Sequence, residues 1–165
     1  MYGAGTIESI EEKEVLGNKG LYYLLNIPHM NMEVMIPVEK AEGLGIRSVV
    51  NNEVIDQLLS YFFEGETDPV MLESNNRFSR DINKKRIKSG DIFQEREIIR
   101  DLTRKSTLHK LGLEDNNMLH TAIQLITSEI VQVKGIEMEK AVEMLYSVIE
   151  KAKEKEKRYL VDAKP

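Results

Sequence analysis

The sequence predicts an α+β chain: a small β module over residues 1–50, then an all-α module over residues 51–165. Residues 51–70 serve as connecting helix and linker. Three observations carry this. Apolar residues alternate with period two, between turn clusters, up to about residue 50, then recur at helical spacing. The charge also changes sign along the chain. Residues 1–70 hold 4 Lys/Arg against 12 Asp/Glu, a net of −8, whereas residues 71–165 hold 19 against 16, a net of +3.

The β elements come first. Thr6-Ile7-Glu8-Ser9-Ile10 alternates as a half-buried strand does. Leu16 to Gly20 is a turn cluster. The aromatic and apolar run from Leu21 to Ile27 is a second strand. Pro28 to Asn31 turn the chain again, and Met32 to Val38 form a third strand with Pro37 near its end or at an edge. Three short strands suggest a small curved sheet or barrel, and they bury little surface alone.

The helices follow. Asn51 or Asn52 can cap a helix with Val54, Leu58, Leu59 and Phe62 on one stripe. Gly65 to Pro69 break it. A helix over Phe78–Ile87 stops at Ser89-Gly90-Asp91, where Ser89 or Asp91 caps the next. That next helix carries Ile92, Phe93, Ile98, Ile99 and Leu102 as apolar positions. Leu108 to Leu113 form a loop. Asp115 or Asn116 then caps a strongly periodic helix with Met118, Leu119, Ala122, Leu125, Ile126 and Ile130, which Gly135 ends. A last helix starts near Glu137 and is expected to fray from Lys151 onward, where the sequence is mostly charge.

Composition excludes several functions. Without cysteine there is no disulfide framework and no cysteine-ligated metal site. The longest apolar runs, such as Leu21 to Leu25, are too short to span a bilayer, and the first residues lack the regions of a signal peptide. The expected setting is cytoplasmic, without membrane contact. His29, His109 and His120 have no ligand spacing; His29 falls in a turn and His120 at the boundary of an apolar stripe. Gly3-Ala4-Gly5 is not followed by Lys-Ser/Thr, so it is a strand entry rather than a phosphate loop. No constellation suits an enzyme, and no cofactor is expected.

One segment stands out. Residues 77–110 hold 11 basic and 5 acidic side chains, a net of +6. Arg77, Arg80, Lys84, Lys85, Arg86 and Lys88 fall together with only Asp81 opposing them. Arg77, Arg80 and Lys84 share a helix face at offsets of 3 and 4. Such a face either is solvated and salt-bridged or binds a polyanion, with phosphate contact as the mode. Arg96, Arg100 and Arg104 stack similarly on the next helix, where Glu95, Glu97 and Asp101 can pair with them. Asn75 and Asn76 open the segment, as a cap or turn or as hydrogen-bonding groups toward phosphate or a base edge.

The order of motifs carries a resemblance. Tyr2-Gly3-Ala4-Gly5-Thr6-Ile7-Glu8-Ser9-Ile10-Glu11 resembles the opening of the CarD family (also called CdnL), whose amino-terminal domain is shared with transcription-repair coupling factor. Val34 to Glu42, with Gly45-Ile46-Arg47 after it, resembles the same domain's later strand and exit. Lys88 to Ile92, Glu97 to Leu102 and Glu129 to Ile136 resemble the family's helical domain. The likeness runs in order over about residues 2–150.

The resemblance implies a Tudor-like β domain that binds the β-subunit lobe of RNA polymerase. It implies a helical domain that grips promoter double-stranded DNA at the upstream edge of the transcription bubble with weak sequence specificity, changing open-complex stability. Polymerase contact falls on Lys13, Met35 and Pro37; Met35 makes an apolar contact where the family has a basic one. DNA contact falls on Asn76, Arg77, Arg80, Lys84, Lys85, Arg86 and Lys88. The chain is thus expected to associate with the nucleoid through polymerase. The alternative is a polymerase-binding adaptor without DNA contact.

Two departures stand beside this. The family has about ten residues before this start, forming a first strand. Their absence implies a truncated start or a sheet completed by another chain, hence a homodimer by strand exchange. The family also carries a Trp that wedges into DNA, and this chain has none. Asn76 or Ser74 falls at its place, depending on the alignment, and neither can unstack bases. Met71 or Phe78 is a candidate substitute, though Phe78 is expected in the core.

Overall fold

In the computed structural model residues 3–162 are described, with side chains as far as residue 155. Met1 and Tyr2 of the opening motif, and the side chains of the expected fraying segment beyond 155, lie outside them. The architecture is α+β. Strands β1 (Thr6–Val15), β2 (Asn18–Ile27) and β3 (Met32–Pro37) form an antiparallel sheet in the order β1-β2-β3. Helices α1 (Asn52–Ser60), α2 (Pro69–Leu72), α3 (Arg77–Ser89), α4 (Ile92–Leu108), α5 (Leu113–Lys134) and α6 (Met138–Asp162) follow.

The first strand runs five residues past Ile10, because the hairpin needs only Leu16 and Gly17 to turn. Both have positive φ, 54° and 80°. Two left-handed residues match the twist of the strands they join. The sheet stays open rather than closing as a barrel, with β1 and β3 as its edges. Pro37 ends β3, where its missing N–H costs no ladder bond.

Pairing fixes the two faces of the sheet. Glu11 and Pro37 oppose Tyr22, Ser9 and Met35 oppose Leu24, and Lys13 opposes Gly20, so these share one face. Ile7 and Val34 oppose Leu25, and Ile10 and Ile36 oppose Tyr23, on the other face. That second face looks toward the helices.

The core sits among the helices. Ile55, Leu58 and Phe62 of α1 and its exit pack with Ile92, Ile98, Ile99 and Leu102 of α4, Ile126 and Ile130 of α5, and Leu145 of α6. The α1 stripe therefore includes Ile55, with Leu59 packed at its edge and Val54 outside the core cluster. Asn51 caps α1, its side chain accepting from the Val54 N–H. Asp91 caps α4 through the Phe93 N–H. The expected cap of α5 is corrected. Gly112 occupies the N-cap, and Asp115 is drawn inside by Lys105 at 2.8 Å. Gly135 ends α5 with φ +62°. The last helix stays helical to Asp162, past the point of expected fraying.

Phe78 and Phe93 are also corrected: they are 64% and 48% exposed. The fully buried residues of α3 are Ser79 and Asn83, with Ile87 packed against the core beside them. This helix lies on the bundle through a largely polar seam, leaving its aromatic outside.

Candidate functional site

The positions that the resemblance assigns to polymerase contact come together on one sheet face. Lys13, Met35 and Pro37 lie with Tyr22 and Leu24 between them. Met35 is about half exposed. Lys13 Nζ pairs with Glu11 Oε2 at 2.6 Å, and the Ser9 hydroxyl donates to Glu11 Oε1 at 2.9 Å. These bonds, Lys13 first, hold the Glu11 carboxyl below its usual range. The face is apolar at its centre and charge-balanced at one side.

The basic helix divides into two sets. Arg77, Lys84, Lys85 and Lys88 are exposed on α3. Among the described residues Arg77 reaches only Asp81, at 4.0 Å, and Lys84 only Glu114, at 4.0 Å. Arg80 is mostly covered and pairs with Glu114 at 3.0 Å. Arg86 points inward. It binds Asp101 at 2.9 Å and Glu97 at 3.0 Å, and it donates to Asn83 Oδ1. Asn76 is the cap of α3. Its Oδ1 accepts from the N–H groups of Phe78 and Ser79, while its Nδ2 donates to Glu73. Phe78 stands exposed in the first turn, one residue from Arg77, whereas Met71 is buried.

The arginine row of α4 is structural. Arg96 donates to the carbonyl of Tyr61, Arg100 to that of Glu64, and Arg104 to those of Phe63 and Gly65. These bonds occupy carbonyls at the exit of α1 and in the following loop, groups that a helix end otherwise leaves open. Asp101 is buried, and it takes Arg86, Arg100 and the Thr67 hydroxyl together.

The sheet meets the helices along α5. Arg47 grips Glu129 with two hydrogen bonds, 2.7 and 2.9 Å, a fork-on-fork geometry. Glu129 also accepts from the Val50 N–H at 2.8 Å. Arg47 donates further to the Gly90 carbonyl, the residue that ends α3. The Ala4 N–H donates to Ser128 Oγ at 2.9 Å. Beside this clamp, Glu95 lies 3% exposed. Burial pushes its carboxyl up to about 8; Glu129 adds to this, Arg47 opposes it and Asp91 adds again. Sequence reasoning did not single out Glu95, Arg47 or Glu129 as a cluster. The available signal was an acid at Glu95, on the same helical stripe as Ile92, Ile99 and Leu102. His29 and His120 line a second groove against α5 and α6. No helix among the described residues is long and apolar enough to cross a membrane.

Comparison with known proteins accords with this layout. Residues 1–50 match the CarD-like/TRCF RID domain, and residues 58–146 match the CarD C-terminal domain. A Bacillus subtilis (strain 168) protein named "Putative transcription factor YdeB" is 38% identical over 136 residues, covering 82% of this chain and 87% of the relative. Both halves of the chain match in the order in which the family joins them, and the chain therefore belongs to the CarD (CdnL) family of transcription regulators.

Proposed function

We propose that the protein bridges RNA polymerase and promoter DNA. The sheet face bearing Lys13, Met35 and Pro37 docks on the β-subunit lobe. The outer face of α3 holds the duplex at the upstream edge of the bubble, and the bridge changes open-complex stability. The observation that carries the DNA half is the exposure of Arg77, Lys84, Lys85 and Lys88 while the neighbouring arginines are consumed internally. Solvated cations without close acidic partners neutralise phosphates at little cost. Phe78 supports the same reading: an exposed aromatic beside these cations can stack on or insert between bases, in place of the Trp this chain lacks.

The test is Lys84→Glu/Lys85→Glu/Lys88→Glu. Binding to duplex DNA with an upstream fork falls, and the slope of log affinity against log salt shrinks by about 3, at roughly 0.9 per phosphate contact. Polymerase binding is unchanged. Equal DNA binding by the variant defeats the reading. A second reading, an adaptor that touches polymerase only, is favoured by Asn76, one of the two positions that fall at the family's wedge, which is spent as a helix cap. It predicts no DNA term at any salt. Strand exchange between two copies along the open edge of β1 gathers Glu8, Glu12 and Glu14 of both copies along one seam, and this acidic crowding opposes it at neutral pH. Sedimentation at pH 7 and pH 4 checks this; a dimer at pH 7 contradicts it.

A further inference from the structure

Between the inner sheet face and the start of α4 lies a cleft of about 660 Å³. That is the size of an ordinary small-molecule site, which spans about 300–1,000 Å³. Its walls are apolar, built from Leu25, Ile27, Val34, Ile36 and Leu125. Its polar floor is Arg47, Glu95 and Glu129.

The charges at this floor do not balance. Asp91, Glu95 and Glu129 are three carboxyls around a single guanidinium, Arg47. Two of them are provided for. Glu129 uses both oxygens on Arg47 and one also on the Val50 N–H, and Asp91 caps α4. Glu95 is 3% exposed and lines the cleft, yet its carboxyl makes no hydrogen bond among the described residues. A carboxyl without a protein partner at a cleft wall is open to a donor on an occupant of the cleft. No group of three or more His, Cys, Asp or Glu among the described residues is placed to hold a metal ion. A carboxyl at the wall of an apolar cleft suits an organic cation with an apolar tail.

We propose that this cleft binds a small aliphatic amine, its ammonium on Glu95 and its alkyl chain along the sheet wall. An anion meets Glu95 and Glu129 as repulsion, and a neutral alcohol gains the walls without the charge. The upward push on the Glu95 carboxyl gives the site a pH signature. Binding a cation there requires ionisation, so affinity rises toward tenfold per pH unit below about 8 and levels off above it. The site adjoins the Arg47–Glu129 clamp, so an occupant touches both modules at once.

The test is a ¹H–¹⁵N NMR titration of the full chain at pH 8 with n-hexylammonium, hexan-1-ol and hexanoate. Hexylammonium is expected to give saturable shifts at the amides of Gly90, Glu95 and Leu125, at least tenfold tighter than hexanol, with hexanoate weakest. Glu95→Gln, which keeps the shape, removes the amine's advantage and leaves hexanol binding as it was. Leu44→Trp, at the exposed mouth, weakens both the amine and the alcohol. Equal affinity for amine and alcohol, an unaltered amine affinity in Glu95→Gln, or unaltered binding in Leu44→Trp overturns the proposal. Neither polymerase nor DNA enters the experiment, so it succeeds or fails separately from the bridging function.

Discussion

The two sides of α3 carry the same residue types to opposite ends. On the outer side, Lys84, Lys85 and Lys88 face water. On the inner side, Arg86 joins Arg100 around the buried Asp101, in a seam where α3 would ordinarily place leucines. Local sequence does not separate Lys85 from Arg86. What separates them is Asp101, fifteen residues on from Arg86, which the fold of α4 brings beneath one and not the other. A basic run is therefore a list of candidates, and buried acids decide which of its members remain available.

Breaking the inner side has the largest effect. Arg86→Glu leaves Asp101 buried beside a new like charge and is expected to cost about 3–5 kcal/mol, read by urea unfolding. A loss under about 1 kcal/mol removes the seam from the account. Glu95→Gln comes next and has a sign. The fold favours the protonated carboxyl, since its value moves from 4.5 to about 8. Stability from this group is full below pH 4.5 and is lost as pH rises to about 8. The loss is up to about 1.4 kcal/mol per pH unit, and the variant flattens it. Parallel wild-type and variant curves between pH 5 and 8 refute this. Outer-side changes are small by contrast. Lys85→Glu moves stability by no more than about 0.5 kcal/mol while weakening DNA binding. Smallest is Phe78→Ala, again within about 0.5 kcal/mol, against about 3–5 kcal/mol for the buried Phe62→Ala. Open-complex lifetime on a ribosomal RNA promoter is expected to change with Phe78→Ala and to stay fixed if Phe78 is idle.

Much of the fold was legible because period-two and helical patterns are local. Both hairpins, the glycine stop at Gly135 and the capping of α1 and α4 follow from residues within a few positions of one another. The failures share a cause. Phe78 and Phe93 look like core to any hydrophobic scale, yet α3 buries Ser79 and Asn83 because Asp101 and Arg86 made that seam polar. Asp115 looks like a cap, and only the distant Lys105 explains why it lies inside. The grouping of Lys13, Met35 and Pro37 on one face depends on strand register, which single residues do not disclose. The Arg47–Glu129 contact spans 82 positions and has no local trace.

That contact also sets how the protein can transmit force. Hydrogen bonds from Ala4, Thr6 and Arg47 reach Ser128, Gln132 and Glu129 of α5, a stretch of about 6 Å along the helix axis at 1.5 Å per residue. Along α5 alone, so short an attachment would act as a hinge. The bond from Arg47 to the Gly90 carbonyl lies off that helix, at the turn between α3 and α4, so the side chain that joins the sheet to α5 also braces the joint against turning. Two surfaces joined this way keep both their separation and their tilt, as a bracket fixed at two points holds a shelf.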